Sequence, residues 1–273
     1  MDNRAIGVFD SGVGGLTAIP HLMKELPNER FIYFGDIARA PYGSKSKPVI
    51  SEFTEQIVDF LIEKDVKMIV IACNTITVVT LDQLKKKYPH IPIIGIVQPA
   101  AEKVASTSNK DNNIGIIATS VTINQKAYSN AIQALNPELK VFEKSCPLFV
   151  PIIEEGLADS KIMECTVQHY LDSFVTDNSI DKLVLGCTHY PLVRKAVEKL
   201  YPHLEIINPS FEVVNRVKAS LIENDLLADA PTMENSFYAS SLTENFLGMV
   251  NSICNQENVY IGLKNFDTEI TEK

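Results

Sequence analysis

Short apolar runs alternate with amphipathic segments along most of the chain. Between the runs, apolar residues recur at helical spacing, for example from position 16 to 26, from 53 to 61 and from 213 to 221. This alternation is typical of parallel strands covered by helices, and it predicts an α/β fold. Eight segments have the length and composition of strands: 6–9, 31–34, 68–72, 93–97, 114–118, 141–142, 183–185 and 205–207.

Two pairs of strand ends resemble each other. Residues 6–11 are similar to 114–119, and residues 69–75 are similar to 183–189, with a nearly equal separation along the chain in both pairs. The similarity is compatible with two halves of related structure. Apolar strands followed by small polar residues are common, however, so chance similarity explains the pattern equally well.

The composition is that of an ordinary globular protein. With 273 residues, 45% of them hydrophobic and 22% charged, the chain is long enough for one large domain or two medium ones. A formal charge of −9, with no basic cluster larger than the lysines at 85–87, argues against a nucleic acid partner. The N-terminus lacks a leader pattern and no apolar run reaches membrane-spanning length, so we expect a cytoplasmic protein without membrane contact.

The five cysteines do not suggest a disulfide framework, because their number is odd and they are scattered through a long chain. Cys146, Cys165 and Cys254 are best explained by packing. Cys73 and Cys187 each follow a strand and precede a helix. We therefore expect both thiols to lie near backbone N–H groups and the positive end of a helix dipole, which would lower their pKa values.

Five loops that follow strands are rich in small hydrogen-bonding groups. Ligands of open parallel sheets bind beyond the carboxyl ends of the strands, so these loops are the candidate site. They are the segments at 10–15, 41–43, 73–75, 119–122 and 187–189.

The first of these loops also resembles a dinucleotide fingerprint. Gly12 and Gly14 are followed by Asp36 at the end of a strand, where a ribose-binding acid would stand. However, Thr17 occupies the position of the third glycine, and Asp10 would place a carboxylate beside a pyrophosphate. A nucleotide-binding enzyme is therefore a rival hypothesis, weaker than the thiol-based one.

Other thiol chemistry is open to Cys187. It could form a nucleophilic pair with His189, although side chains two positions apart after a strand need not meet. It could also bind zinc together with Cys73 and His189, but no closely spaced pair of ligands resembles a zinc site. We expect neither a metal nor a cofactor.

The candidate loops, in their order along the chain, resemble the cofactor-independent aspartate/glutamate racemase superfamily, and within it the branch that acts on glutamate. The resemblance implies two pseudo-symmetric α/β domains, residues 1–98 with 210–273 and residues 99–209, with the active site between them. It also implies a homodimer that interconverts L- and D-glutamate and supplies D-glutamate for peptidoglycan. The segments that carry it are GVFDSGVGGLT (7–17), GDIARAPYG (35–43), IACNT (71–75), FVPIIEEG (149–156) and LGCTHYPL (185–192).

The resemblance also assigns roles to individual residues. Cys73 and Cys187 would act as acid and base, while Asp10 and Glu154 would hold the substrate ammonium or His189, which would tune Cys187. The substrate site would be lined by Asp10, Ser11, Tyr42, Gly43, Asn74, Thr75, Thr188 and His189, with Thr119 and Thr122 close by.

The proposed reaction suits two thiols. Inverting an α-carbon requires a base on one face and an acid on the other, and without pyridoxal the developing charge needs preorganised donors around the carboxylate. Two alternatives stay open besides the nucleotide enzyme: a racemase of another acidic amino acid, and a binding protein that retains the loops without catalysis.

Overall fold

The computed structural model describes residues 1–229, 234–254 and 259–266. Strands and helices alternate through these residues, as the sequence predicts. The strands are β1 (Ile6–Asp10), β2 (Phe31–Gly35), β3 (Met68–Ile71), β4 (Ile93–Gly95), β5 (Asn113–Ala118), β6 (Lys140–Ser145), β7 (Lys182–Gly186), β8 (Glu205–Ile207), β9 (Ser236–Ala239) and β10 (Tyr260–Leu263).

The helices cover the sheets, and short 3-10 turns follow several strands, among them Gly14–Ala18, Tyr42–Ser44 and Tyr190–Val193. The α-helices are α1 (Ile19–Glu25), α2 (Lys47–Glu63), α3 (Asn74–Lys87), α4 (Val97–Thr107), α5 (Ser120–Asn124), α6 (Ala127–Leu135), α7 (Phe149–Glu154), α8 (Lys161–Asp177), α9 (Arg194–Leu200), α10 (Pro209–Glu223) and α11 (Glu244–Ile253).

Within the described residues the strands form two sheets in which the assigned pairs are parallel. The larger sheet has the order β10-β9-β2-β1-β3-β4, and the smaller has the order β6-β5-β7-β8. The α/β prediction with two parallel sheets is therefore confirmed. The boundaries at 98/99 and 209/210 stay a prediction, although the smaller sheet is built only from strands between them.

The eight strands that the sequence predicts all form, with shifts of a few residues at their ends. The largest change is in β6, which extends to Ser145 because Glu143 and Lys144 lie on a half-exposed edge strand where polar residues are tolerated. The sequence analysis missed β9 and β10, which are short and contain little β-branched character.

Strand register places the candidate loops at two facing edges. Asp10 is paired with Gly35 at the carboxyl end of the larger sheet, and β3 ends beside them at Ile71. Ala118 is paired with Ser145 and with Gly186 at the carboxyl end of the smaller sheet. Because the strands in each sheet are parallel, every strand delivers its following loop to the same edge.

A hydrophobic core joins the two sheets. It includes side chains of both, such as Val8 and Ile116, together with Val104 of α4 and Val217 of α10. Helices α4 and α10 also pack against each other. The two halves are therefore held together by buried apolar surface, the dominant favourable contribution to folding.

A buried lysine stands at the amino end of each strand that leads to a candidate thiol. Lys67 precedes β3, forms an ion pair with Glu29 at 2.6 Å and donates to the carbonyl of Leu226 beyond α10. Lys182 begins β7, pairs with Glu205 at 3.0 Å and donates to the carbonyl of Thr107 at the end of α4. This repeated arrangement is the structural counterpart of the faint sequence similarity between the halves.

The Lys67–Glu29 pair generates a stability prediction, because both side chains are almost completely buried. Replacing Lys67→Ala leaves the Glu29 carboxylate uncompensated, so we expect the free energy of unfolding to fall by about 3–5 kcal/mol. Urea denaturation measures the change, and Lys110→Ala, at an exposed turn, should alter the free energy by no more than about 0.5 kcal/mol. Equal effects of the two substitutions would contradict this assignment.

Candidate active site

The loops at the two sheet edges enclose a cavity of about 440 Å³. Both halves contribute to it, and its walls carry both candidate thiols. It is lined by Ser11, Gly12, Ala40, Pro41, Tyr42, Gly43, Ser44, Cys73, Asn74, Thr75, Thr119, Ser120, Pro147, Val150, Pro151, Glu154, Cys187, Thr188 and His189.

On the wall from the larger sheet, Cys73 lies between the end of β3 and the first residue of α3. Its Sγ atom accepts a hydrogen bond from the backbone N–H of Ile76 at 3.5 Å and lies 3.5 Å from Ser11 Oγ. The thiol is thus the N-cap of α3, where an otherwise unpaired N–H group needs an acceptor.

The expectation that this position lowers the pKa of Cys73 is wrong. Burial raises the pKa of the thiol well above its usual range, and the negative charge of Asp10 raises it further. The bonds from Ser11 and Ile76 act in the opposite direction and are outweighed. Desolvation therefore dominates over the helix terminus, and Cys73 is held as a neutral thiol at neutral pH.

On the other wall, Cys187 follows β7 and meets His189, contrary to the sequence-based reservation about residues two positions apart. The distance from Cys187 Sγ to His189 Nδ1 is 3.9 Å. On the far side of the ring, Nε2 lies 3.2 Å from Glu154 Oε1, although the contact lacks the alignment of a regular hydrogen bond. The Cys187 thiol therefore contacts the His189 imidazole, which in turn contacts the carboxylate of Glu154, the last residue of α7.

The surroundings of His189 favour its charged form. Burial alone would lower the pKa of the imidazole, but the neighbouring Cys187 sulfur and the Glu154 carboxylate together raise it above its ordinary value. Asp10 adds to this effect through its charge. An imidazolium beside Cys187 stabilises negative charge on that sulfur.

Asp10 is fully buried and lies behind the cavity wall. Its Oδ2 accepts from the N–H groups of Gly12 and Gly15, and its Oδ1 accepts from the Thr188 hydroxyl at 3.3 Å. Asp10 therefore shapes its own loop and ties it to the loop after β7. Direct contact with a substrate ammonium stays a prediction for this residue.

Three threonine hydroxyls join the two walls. Thr75 Oγ1 lies 3.0 Å from Thr119 Oγ1 and 3.4 Å from Thr122 Oγ1, while Thr119 and Thr122 are 3.2 Å apart. Thr75 and Thr119 line the cavity, whereas Thr122 is buried behind them. Thr122 thus supports the wall from behind.

The geometry of the glycine loop does not fit the nucleotide hypothesis. A Cβ atom on Gly14 would lie 2.6 Å from both His189 Nδ1 and Thr188 Oγ1, so the opposite loop already fills this space. Asp36 forms an ion pair with Arg39 at 2.7 Å and accepts a hydrogen bond from the Tyr42 hydroxyl. Gly14 is thus required for close packing of the two halves, and Asp36 is occupied within its own loop.

The sequence analysis singles out no role for some contributors to the site. Pro147 and, within the segment 149–156, Val150 and Pro151 of α7 supply apolar lining. Tyr128 of α6 donates a hydrogen bond to the side chain of Asn74 from the other half. Thr17 lies 3.3 Å from Ser210 at the start of α10. Such contacts join distant segments, so sequence spacing could not reveal them.

Among the remaining cysteines, Cys146 and Cys254 are buried, whereas Cys165 is exposed on α8. This agrees with their interpretation as packing or surface residues.

No group of three His, Cys, Asp or Glu side chains across 1–229, 234–254 and 259–266 is arranged to hold a metal ion. In the same residues, no helix has both the length and the apolarity that crossing a bilayer demands.

Two parallel sheets with two thiols facing the cavity between them identify the chain as an α/β protein with a thiol-lined site. The Asp/Glu/Hydantoin racemase family matches residues 21–217, and the chain belongs to this family. The chain is similar to the glutamate racemase of Neisseria meningitidis serogroup B, with 42% identity over 244 residues, which are 89% of this chain and 90% of the relative. The glutamate racemase of Sulfurihydrogenibium is 44% identical over 214 residues, or 78% of this chain and 81% of that protein.

Solved structures give the same relationship. The chain is similar to glutamate racemase of Francisella tularensis in complex with D-glutamate, with a TM-score of 0.90, 39% identity, and coverage of 98% and 99% of the two chains. An aspartate racemase of Picrophilus torridus shares the fold at a TM-score of 0.58 with 15% identity, covering 81% of this chain and 94% of that one.

The close approach at Gly14 leads to a prediction about activity. In Gly14→Ala, the added Cβ must displace His189 or Thr188, and a displacement of about 1 Å in a catalytic site lowers turnover by about 100-fold. The rate of amino-acid racemisation measures the loss. Gly248→Ala on α11, where a Cβ meets nothing within 4 Å, is the control and should retain the wild-type rate. A loss below fivefold in Gly14→Ala would contradict the packing argument.

The raised pKa of His189 predicts a trend of stability with pH. A pKa that is higher in the folded state gives stability that is complete below the unfolded value of about 6.5 and is lost as pH rises through the folded value. The difference in unfolding free energy between wild type and His189→Gln should therefore shrink by at least about 1 kcal/mol as pH rises above neutrality. Urea denaturation across this pH range tests it, with exposed His203→Gln as control. A difference that grows with pH would reverse the assignment.

Proposed function

We propose that this protein is a glutamate racemase that interconverts L- and D-glutamate by proton transfer at the α-carbon, with Cys73 and Cys187 as the acid and base. The observation that carries the proposal is the entry of two thiols into one cavity from opposite halves of the molecule. An α-carbon held between them can lose its proton to the thiolate on one face, and the planar carbanion that results can receive a proton from the thiol on the other. The similarity to glutamate racemases supports the choice of substrate.

The two thiols suit a reaction that starts with one of them ionised. In one direction the Cys187 thiolate, stabilised by the His189 imidazolium, takes the α-proton, so the C–H bond breaks and an S–H bond forms. The neutral Cys73 thiol then delivers its own proton to the opposite face. Cys73 is left as a thiolate, and the donors at Ser11 and Ile76 stabilise its charge. The reverse direction exchanges the roles of the thiols.

Substrate binding requires donors for two carboxylates. The cavity offers hydroxyl groups on Ser11, Thr75, Thr119 and Thr188 and the amide of Asn74. Tyr42 and Gly43 also line the cavity, and a Cβ atom on Gly43 would lie 3.0 Å from Thr119. Held in place, these donors stabilise the charge that develops when the α-proton leaves.

In this proposal three residues support other side chains of the site: Glu154, Asp10 and Thr122. Glu154 lies against His189 and keeps the imidazole charged, while Asp10 fixes the Thr188 hydroxyl. Thr122 supports Thr75 and Thr119. The proposal needs no metal or cofactor, because preorganised donors around the substrate carboxylate stabilise the charge.

The proposal includes a cellular setting: a cytoplasmic homodimer with domains 1–98 plus 210–273 and 99–209, which supplies D-glutamate for peptidoglycan. Five cysteines without a disulfide between them, two in the cavity walls, two buried in the core and one exposed, suit a reducing compartment. The resemblance to glutamate racemases supports the oligomeric state and the use of the product.

The test is the reaction itself, with L-glutamate in D₂O and no added metal or cofactor. Wild-type protein should form D-glutamate that carries deuterium, while L-glutamate recovered at early times stays protiated, because the delivering thiol has exchanged with solvent. Cys73→Ser and Cys187→Ser should each lower the rate by at least about 100-fold, as a serine hydroxyl is hardly ionised at neutral pH. Chiral chromatography with mass spectrometry measures both products, and exposed Cys165→Ser is the control.

Three outcomes would count against the proposal. Racemisation of L-aspartate but not of L-glutamate would favour another acidic substrate. Binding of glutamate without exchange of the α-proton would leave a binding protein. If either thiol variant keeps the wild-type rate, the mechanism with two thiols fails.

A further inference from the structure

Tyr128 is a buried residue that the proposed mechanism does not use. It belongs to α6 in the second half of the chain, is 1% exposed, and its ring is part of the hydrophobic core. Its hydroxyl donates a hydrogen bond to Oδ1 of Asn74, the first residue of α3 in the other half. Among the described residues, the Tyr128 hydroxyl makes no other hydrogen bond.

The Asn74 side chain is also buried, at 2% exposure, and it lines the cavity. With Oδ1 bound to Tyr128, its amide nitrogen Nδ2 has no partner in the described structure. A buried donor without an acceptor costs free energy, and such groups are rare outside functional sites. The unpaired amide is therefore a donor available to a ligand in the cavity.

The hydrogen bond from Tyr128 fixes the orientation of this amide. If the amide were flipped, the phenolic hydrogen would lose its acceptor and the carbonyl oxygen of Asn74 would face the cavity, where it would repel a carboxylate. Burial raises the pKa of Tyr128, and the charge of Cys187 raises it further. The phenol therefore stays protonated and remains a donor.

We infer that Tyr128 is a positioning residue, which holds Asn74 with its NH₂ group toward a carboxylate of the substrate. The inference rests on the proposed function, since it takes glutamate as the ligand of the cavity. Because Tyr128 and Asn74 belong to different halves, the donor is correctly oriented only when the halves are in contact at this point.

The test begins with Tyr128→Phe, which removes the hydroxyl and keeps the ring in the core. The amide then samples both orientations and loses the bond that selects one. We expect KM to rise about tenfold for both enantiomers, because the carboxylate loses an oriented donor, and any accompanying fall in kcat reports the developing charge that the same donor stabilises. Tyr88→Phe is the matched control, since it removes a phenol bonded to Asp59 away from the cavity.

A double-mutant cycle distinguishes action through Asn74 from a general loss of structure. In an Asn74→Ala background, Tyr128→Phe should change KM by less than about twofold, because the group that it positions is gone. Replacing Tyr128 by p-aminophenylalanine keeps a donor at the same place and should restore KM to within about threefold of wild type. This variant also keeps the test valid if Tyr128→Phe does not fold, as judged by its thermal transition.

The inference is overturned if Tyr128→Phe has the same KM as Tyr88→Phe, or if its effect is as large without Asn74 as with it. Failure of p-aminophenylalanine to restore KM in a folded protein would also overturn it. These outcomes differ from failure of the proposed function, in which the wild-type protein does not racemise glutamate at all.

Discussion

The contact between the loop after β1 and the loop after β7 is the constraint on which the cavity depends. At Gly14 the two loops are so close that His189 and Thr188 occupy the space of a side chain. Asp10 adds a hydrogen bond to Thr188 across the same contact. Because each loop contributes residues to one wall of the cavity, this packing constrains the distance between the walls. The parallel register of each sheet makes it possible, since it delivers the loops to facing edges.

The two halves place their cysteines at equivalent positions, but the chemical surroundings of the two cysteines differ. Cys73 and Cys187 both follow a strand, and a buried lysine stands before each strand. Cys73, however, is surrounded by a hydroxyl, a backbone N–H and the charge of Asp10, whereas Cys187 has His189 and Glu154 beyond it. Burial therefore holds Cys73 as a neutral thiol, and the raised pKa of His189 places a positive charge beside Cys187. A reaction that interconverts two mirror-image molecules is thus flanked by two thiols in different surroundings.

The fold, and the residues that line the cavity after the predicted strands, could be predicted from the sequence because these signals are local. Apolar runs mark β1 to β8, and residues such as Cys73, Thr75 and Cys187 follow those runs directly, so the parallel arrangement brings them together. The protonation state of Cys73 could not be predicted in this way. A helix terminus is visible in the sequence, whereas the burial that outweighs it depends on tertiary packing. The role of Tyr128 could not be predicted either, because Asn74, its hydrogen-bond partner, lies in the other half of the chain.

The burial of Cys73 also affects the chemical durability of the protein. Oxidants and electrophiles react with thiolates, and a thiol kept neutral inside the structure reacts slowly with both. Cys165, by contrast, is exposed on α8 and lies outside the cavity. Oxidation at Cys165 therefore leaves the cavity intact, while the thiol of Cys73 is protected by its burial.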